Sequence, residues 1–251
     1  MNRTGLSREM IKYIAVIAMT ADHAALFLLG EGSSLYLVCR AIGGMTAITM
    51  SFFLAEGFRK TKNPAVYARR LFLCAAVSQI PWFFLSRHTE GLFPLNVVWN
   101  LLFSLMILEW LRRSAGMAGR IAGAGILTAA CCFCDWGILM PCYVLLFSET
   151  AKRFPGRKGP LRNAWITAVF LNALSAVSFG NGAGHFGTGG IRFAAEPLLS
   201  CIGQILAAVF VLVFYHGETE KRHQRFHQYF FYVWYPLHLG ILLICTMADR
   251  G

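Results

Sequence analysis

Nine times along this chain a mostly apolar run returns, close to the roughly 20 residues an α-helix needs to cross the hydrocarbon core of a bilayer. The runs fall at residues 9–30, 35–57, 66–86, 93–111, 117–134, 136–151, 163–180, 197–215 and 227–248. Connections between them are short, so the 251 residues leave no room for a domain outside the membrane. The fifth and sixth runs are parted only by Asp135, Trp136 and Gly137. They read as a hairpin of two short spans, with a single re-entrant segment as the alternative.

Composition agrees with this reading. The chain is 57% hydrophobic and 14% charged, against roughly 45–50% apolar and ~25% charged for a soluble domain. No soluble core hides that much apolar surface. The net charge of +11 does not point to nucleic acid, because the basic residues sit in small clusters between runs and form no single face. Their placement sets topology instead, since cytoplasmic loops are enriched in Lys and Arg. Alternate connections receive Arg3, Arg8 and Lys12; Arg59, Lys60, Lys62, Arg69 and Arg70; Arg112, Arg113 and Arg120; Lys152, Arg153, Arg157, Lys158 and Arg162; and Lys221, Arg222 and Arg225. Those are 19 of the 23 basic residues. Omitting one helix would scramble the alternation. The sequence therefore predicts an all-α, polytopic integral membrane bundle of about nine transmembrane helices, a single domain over residues 1–251. Its amino terminus is expected in the cytoplasm and its carboxyl terminus outside, in a bacterial plasma membrane.

Other features read blandly. Cys39, Cys74, Cys131, Cys132, Cys142, Cys201 and Cys245 lie in apolar runs and are expected as buried thiols. The Cys131, Cys132, Cys134 cluster lacks a second pair or a neighbouring His at metal-ligand spacing, so no metal is expected. Asp22 and His23 in the first run, with no cleavage pattern after it, argue against a removable signal peptide. The glycine-rich stretch Gly180 to Gly190 follows a helix and not a strand, which suits an outer loop better than a phosphate cradle.

Polar side chains inside the apolar runs point to function, because an ionisable group in hydrocarbon is costly and is kept for a task. Asp22 and His23 lie in the outer half of the first span, and Arg40 enters the second span from outside to a similar depth. Gln79, Asn96, Asn100 and Asp135 fall in the same layer, and His238 lies near the middle of the ninth span. Asp22 and His23 are about 100° apart around a helix, so Asp22 is placed to pair with Arg40 or face His238 rather than to orient His23. A buried ion pair that only fixes helix packing is the structural alternative. Glu56 can meet Arg59 and Lys60, and Glu109 can meet Arg112 and Arg113, at helical spacing. Gly43, Gly44, Ala47 and Ser51 give the second span a small-residue face for close helix contact.

Around these residues the chain resembles the TraX family, membrane proteins linked to amino-terminal acetylation of conjugative pilin. The resemblance rests on IKYIAVIAMTADHAA around Asp22 and His23, FFLAEGFRKTKNP from Phe52, RRLFLCAAVSQIPWFF from Arg69, NLLFSL from Asn100, Asp135-Trp136-Gly137, and FYVWYPLHLGIL from Phe231. The chain departs from the family at Gly44 and Ile48, where an Arg and a Pro are usual. The family is also distantly similar to integral-membrane acyltransferases of surface polysaccharides, which implies acetyl-CoA as donor and an intramembrane His as base.

On that footing His23 is the expected general base, with Asp22, Arg40 and His238 completing a catalytic set. Arg40, Gln79 or Asn100 would stabilise the oxyanion. Glu56, Arg59, Lys60, Arg69, Arg70 and Asn100 are the expected contacts of acetyl-CoA. The acceptor would be a peptide amino terminus, a sugar or a lipid headgroup. A small transporter lined by Asp22, Arg40 and His238, or a non-enzymatic assembly factor for a secreted peptide, are the competing readings.

Overall fold

Ser7 opens the first helix by accepting a hydrogen bond from the Met10 N–H, with Glu9 in the first turn to complement the helix dipole. The same device recurs at Ser33, Asn63 and Asn96, each of which caps the helix that follows with its own side-chain oxygen. The protein is described here from a computed structural model that covers residues 5–29, 33–87, 95–182, 189–217 and 223–248, with backbone alone at 176–182 and 189–197. Among these residues the chain is all helical: α1 (Arg8–Leu28), α2 (Ser34–Gly43), α3 (Met45–Lys60), α4 (Pro64–Ser86), α5 (Val97–Arg113), α6 (Met117–Cys131), α7 (Leu139–Arg153), α8 (Lys158–Gly182), α9 (Gly189–Val209) and α10 (Gln224–Ala248). A π-helical turn, Phe210–Phe214, continues α9.

These elements lie at the nine expected positions. The second run holds both α2 and α3, which meet at Gly44. Three helical stretches are long and apolar enough to cross a membrane by themselves: Arg8–Leu28, Ser34–Lys60 and Gln224–Ala248. Large apolar side chains such as Ile17, Ile80, Ile126, Phe170 and Ile244 lie exposed around the helices, more than a soluble surface tolerates. The fifth and sixth runs form two separate helices of 15 residues each, α6 and α7, about 22 Å long at 1.5 Å per residue. Of the glycine stretch, Gly180–Gly182 belong to α8 and Gly189 opens α9, so helix replaces loop at both ends; 183–188 lie outside the described residues. The thiols are also less uniformly buried than their apolar settings suggested. Cys132, in the turn after α6, and Cys245, on α10, are exposed.

The chain folds into two compact units, 1–49 with 154–227 and 50–153 with 228–251. In the first, α1 and α2 run antiparallel: Asp22 meets Arg40, and the Thr46 hydroxyl, just past Gly44, donates to the Ala15 carbonyl at 2.8 Å. Helices α8 and α9 are antiparallel too, through Asn172 with Ser200 and the Cys201 thiol with the Val169 carbonyl. Leu6 N–H donates to the Phe214 carbonyl at 2.9 Å and ties the start of α1 to the end of the π turn.

In the second unit α4 and α5 are antiparallel, by Gln79 with Asn96 and Phe72 against Trp99. Helices α4 and α10 run in the same direction, with Arg70 over the Tyr229 ring and the Cys74 thiol donating to the Tyr232 carbonyl at 3.5 Å. That last bond has a local cause. Pro236 has no N–H to offer the carbonyl four residues back, and Cys74 caps the orphan. The parallel pair is what the third and ninth spans of an alternating bundle require.

Candidate functional site

In the first unit, α1 carries Asp22 against α2. Arg40 Nη1 donates to Asp22 Oδ1 at 2.7 Å, and the two side chains are 19% and 17% exposed, so the ion pair is largely withdrawn from the surface. Gly43 makes this possible: a Cβ there would overlap the Asp22 carboxylate. Gly44 does the same on the other side, where a Cβ would run into the Ser200 backbone. Gly203 in turn lies against the backbone of α2 at Ala41 and Ile42. The expected small-residue face is thus real. It breaks the helix at Gly44 without a proline and lets α1 and α9 close on the break from two sides.

His23, one residue on, is 6% exposed and sits 6.3 Å from the Phe27 ring, centroid to centroid. It is turned into the protein. Beyond Gly44, the Asn172 amide donates to Ser200 Oγ at 2.7 Å and to Cys201 Sγ at 3.3 Å. Asn172 is 1% and Gln204 0% exposed. Sequence reasoning passed over both, although an amide within an apolar run was the criterion that singled out Asn100.

The second unit holds the other expected polar residues. Gln79 Oε1 accepts from the Asn96 backbone at 3.2 Å, the Asn96 amide at 3.0 Å and Trp99 Nε1 at 3.1 Å. Asn100 Nδ2 donates to the Gly137 carbonyl at 3.0 Å, and Leu95 exchanges backbone hydrogen bonds with Phe133 and Asp135. Of the polar residues expected in one layer, Gln79 and Asn96 meet directly, while Asn100 and the Asp135 backbone are tied to Gly137 and Leu95. These bonds commit the Asn100 amide to the turn between α6 and α7.

His238 is 2% exposed, with its ring 5.3 Å from that of Tyr235. Its Nδ1 lies 3.0 Å from the Trp234 carbonyl. A carbonyl only accepts, so Nδ1 is the donor in this contact. Lys60 Nζ donates to Glu56 at 2.6 Å, and Glu109 binds Arg112 and Arg113. Arg59 and Arg69 are exposed, and Arg70 lies on Tyr229. Among the described residues no cluster of His, Cys, Asp and Glu could hold a metal ion.

The TraX protein family matches residues 7–246. This chain belongs to the TraX family. It is also similar to the probable fimbrial assembly protein FimC, serogroup H1, of Dichelobacter nodosus, with 30% identity over 252 residues and 96% of each chain covered. No solved structure matches the chain. Family and fold together make it a helical membrane protein.

The Gly43 contact yields a first prediction. Gly43→Ala is expected to displace Asp22 and lower stability by about 1–3 kcal/mol, the usual cost of overpacking. Gly119→Ala on α6, where a Cβ meets nothing within 4 Å, is the matched control and is expected to be neutral or slightly stabilising. Thermal unfolding in detergent compares the two; equal midpoints would contradict the packing described.

Proposed function

We propose that this protein is an acetyltransferase of the membrane, moving an acetyl group from cytosolic acetyl-CoA to an amine or hydroxyl at or beyond the bilayer during assembly of a surface filament. The observation that carries the reading is a buried histidine, His23, next in sequence to a part-buried ion pair, Asp22 with Arg40, in an apolar helix pair. The filament setting comes from the TraX family and from the fimbrial assembly role in the relative's name.

A thioester is already activated, so the protein has three tasks. His23 takes the proton from the acceptor nitrogen or oxygen as that atom bonds to the acetyl carbonyl carbon. Arg40, with five guanidinium N–H donors, serves Asp22 and the developing oxyanion together. When the C–S bond breaks, the thiolate of CoA leaves and takes up the proton from His23. Asp22 is the counter-ion that keeps Arg40 in place. His238, buried in the second unit, is the proposed second proton acceptor. Arg59, Lys60, Arg69 and Arg70 are the proposed partners of the CoA phosphates, and the cytoplasmic amino terminus follows from the charge alternation.

The test uses purified protein and acetyl-CoA labelled in the acetyl group. Surface material from cells with and without the protein is first compared by mass spectrometry for a gain of about 42 Da, one acetyl group. The acceptor so found is then added to the purified protein. Label transfer with release of CoA is expected; its absence, with no acetylated surface species, would overturn the reading.

A further inference from the structure

The turn between α6 and α7 carries a feature that acetyl transfer does not use. Its sequence is Cys131-Cys132-Phe133-Cys134, a Cys-x-x-Cys spacing, and the backbone closes it: Cys134 N–H donates to the Cys131 carbonyl at 2.9 Å. A hydrogen-bonded turn of this kind brings its first and fourth Cα atoms within about 7 Å, the range a disulfide spans. The Cys134 sulfur lies 3.9 Å from the Ala130 carbonyl, folded back over the end of α6, and Cys131 and Cys134 are both free thiols in this structure. Both Cys131 and Cys134 are fully buried, whereas Cys132 between them is exposed. The next stretch is held in place from α5, by Leu95 on Phe133 and Asp135 and by Asn100 on Gly137.

We propose that Cys131 and Cys134 are a disulfide-forming pair, oxidised as the chain assembles. The proposal rests on the charge alternation, which puts this turn on the non-cytoplasmic side, where thiols meet oxidants. The co-reactant is a protein or small-molecule disulfide. The Cys134 thiolate attacks one of its sulfurs and releases a thiolate; Cys131 then displaces the second from the mixed disulfide. The oxidant's S–S bond is reduced to two thiols, which take up the two protons, and one S–S bond forms across the turn. Burial dates the event. Neither sulfur is reachable once α6 and α7 have packed, so exchange precedes packing and the finished bond is shielded from reductants.

Peptide chemistry makes the pair separable. Membranes are taken in iodoacetamide without reductant, and the protein is denatured in the same reagent and cut with chymotrypsin. Cleavage after Phe133 puts Cys131 and Cys134 on different peptides, joined only if the disulfide exists. We expect the joined species from wild type and from Cys132→Ser, and its loss in Cys131→Ser and Cys134→Ser. Reduction is expected to lower the unfolding midpoint by roughly 4–8 °C, as loop-closure entropy suggests for a bridge this short. Alkylation of both thiols without reductant, or a bond through Cys132 or Cys142, would overturn the proposal, and either result leaves the acetyl-transfer assay unaffected.

Discussion

Replacing His23 by alanine is expected to lower the rate of acetyl transfer by about 10²–10⁴-fold, the contribution of a positioned general base, while the protein still reaches the membrane in normal amount. The ring is 6% exposed and small enough that its loss opens only a modest cavity. The effect should therefore fall on kcat and not on the KM for acetyl-CoA, because His23 touches the acceptor's proton and not the donor's phosphates. His23→Gln keeps the volume and hydrogen-bonding capacity without a titratable nitrogen; it should be as inactive as alanine but more stable. The pH profile supplies a readout that packing cannot mimic: in wild type the rate rises as the imidazole loses its proton, and in both variants that limb flattens. Full acetyl transfer by a well-expressed His23→Ala protein would remove the base from the mechanism.

How far such a site can be read from sequence depends on what each residue's chemistry announces. Asp22 and Arg40 announced themselves, since opposite charges in two adjacent apolar runs have few other ways to be accommodated. The nine helical stretches were legible for the same reason: each run must satisfy its backbone internally wherever water is absent. The break at Gly44 was not. It accompanies the approach of Ser200 to the bare backbone of Gly44, a tertiary event with no local marker such as proline. Cys74 was read as one more apolar thiol, yet its sulfur caps the carbonyl that Pro236 leaves open. Asn172 and Gln204 met the same criterion as Asn100, an amide in an apolar run, but no charged residue near them in sequence drew attention to their runs. Asn100 was legible as a polar group in the layer but not as a latch on Gly137, since the rotation of α5 about its axis decides which acceptor it meets.

The ion pair supports a second prediction that separates chemistry from packing. Arg40→Leu takes away the 2.7 Å partner of the Asp22 carboxylate and should cost about 1–3 kcal/mol, the pair being only part-buried. Asp22→Leu should cost a similar amount by taking the carboxylate from the guanidinium. The double variant loses the mutual attraction without leaving one charge facing the other's empty place, so its cost should fall well below the sum of the singles. With Gly43 still beneath position 22, some strain from the bulkier leucine remains, and an Asp22→Asn, Arg40→Gln pair of nearly equal volume checks for it. Stability and activity should then diverge. If the pair only packs helices, the double variant recovers acetyl transfer along with its unfolding midpoint. If Arg40 stabilises the oxyanion, a term of about 2.7–4 kcal/mol for one donor in other enzymes, the restored protein stays roughly 10²–10³-fold slow. A double variant that is both stable and fully active would reduce Asp22 and Arg40 to a structural clamp and leave His23 without its electrophilic partner.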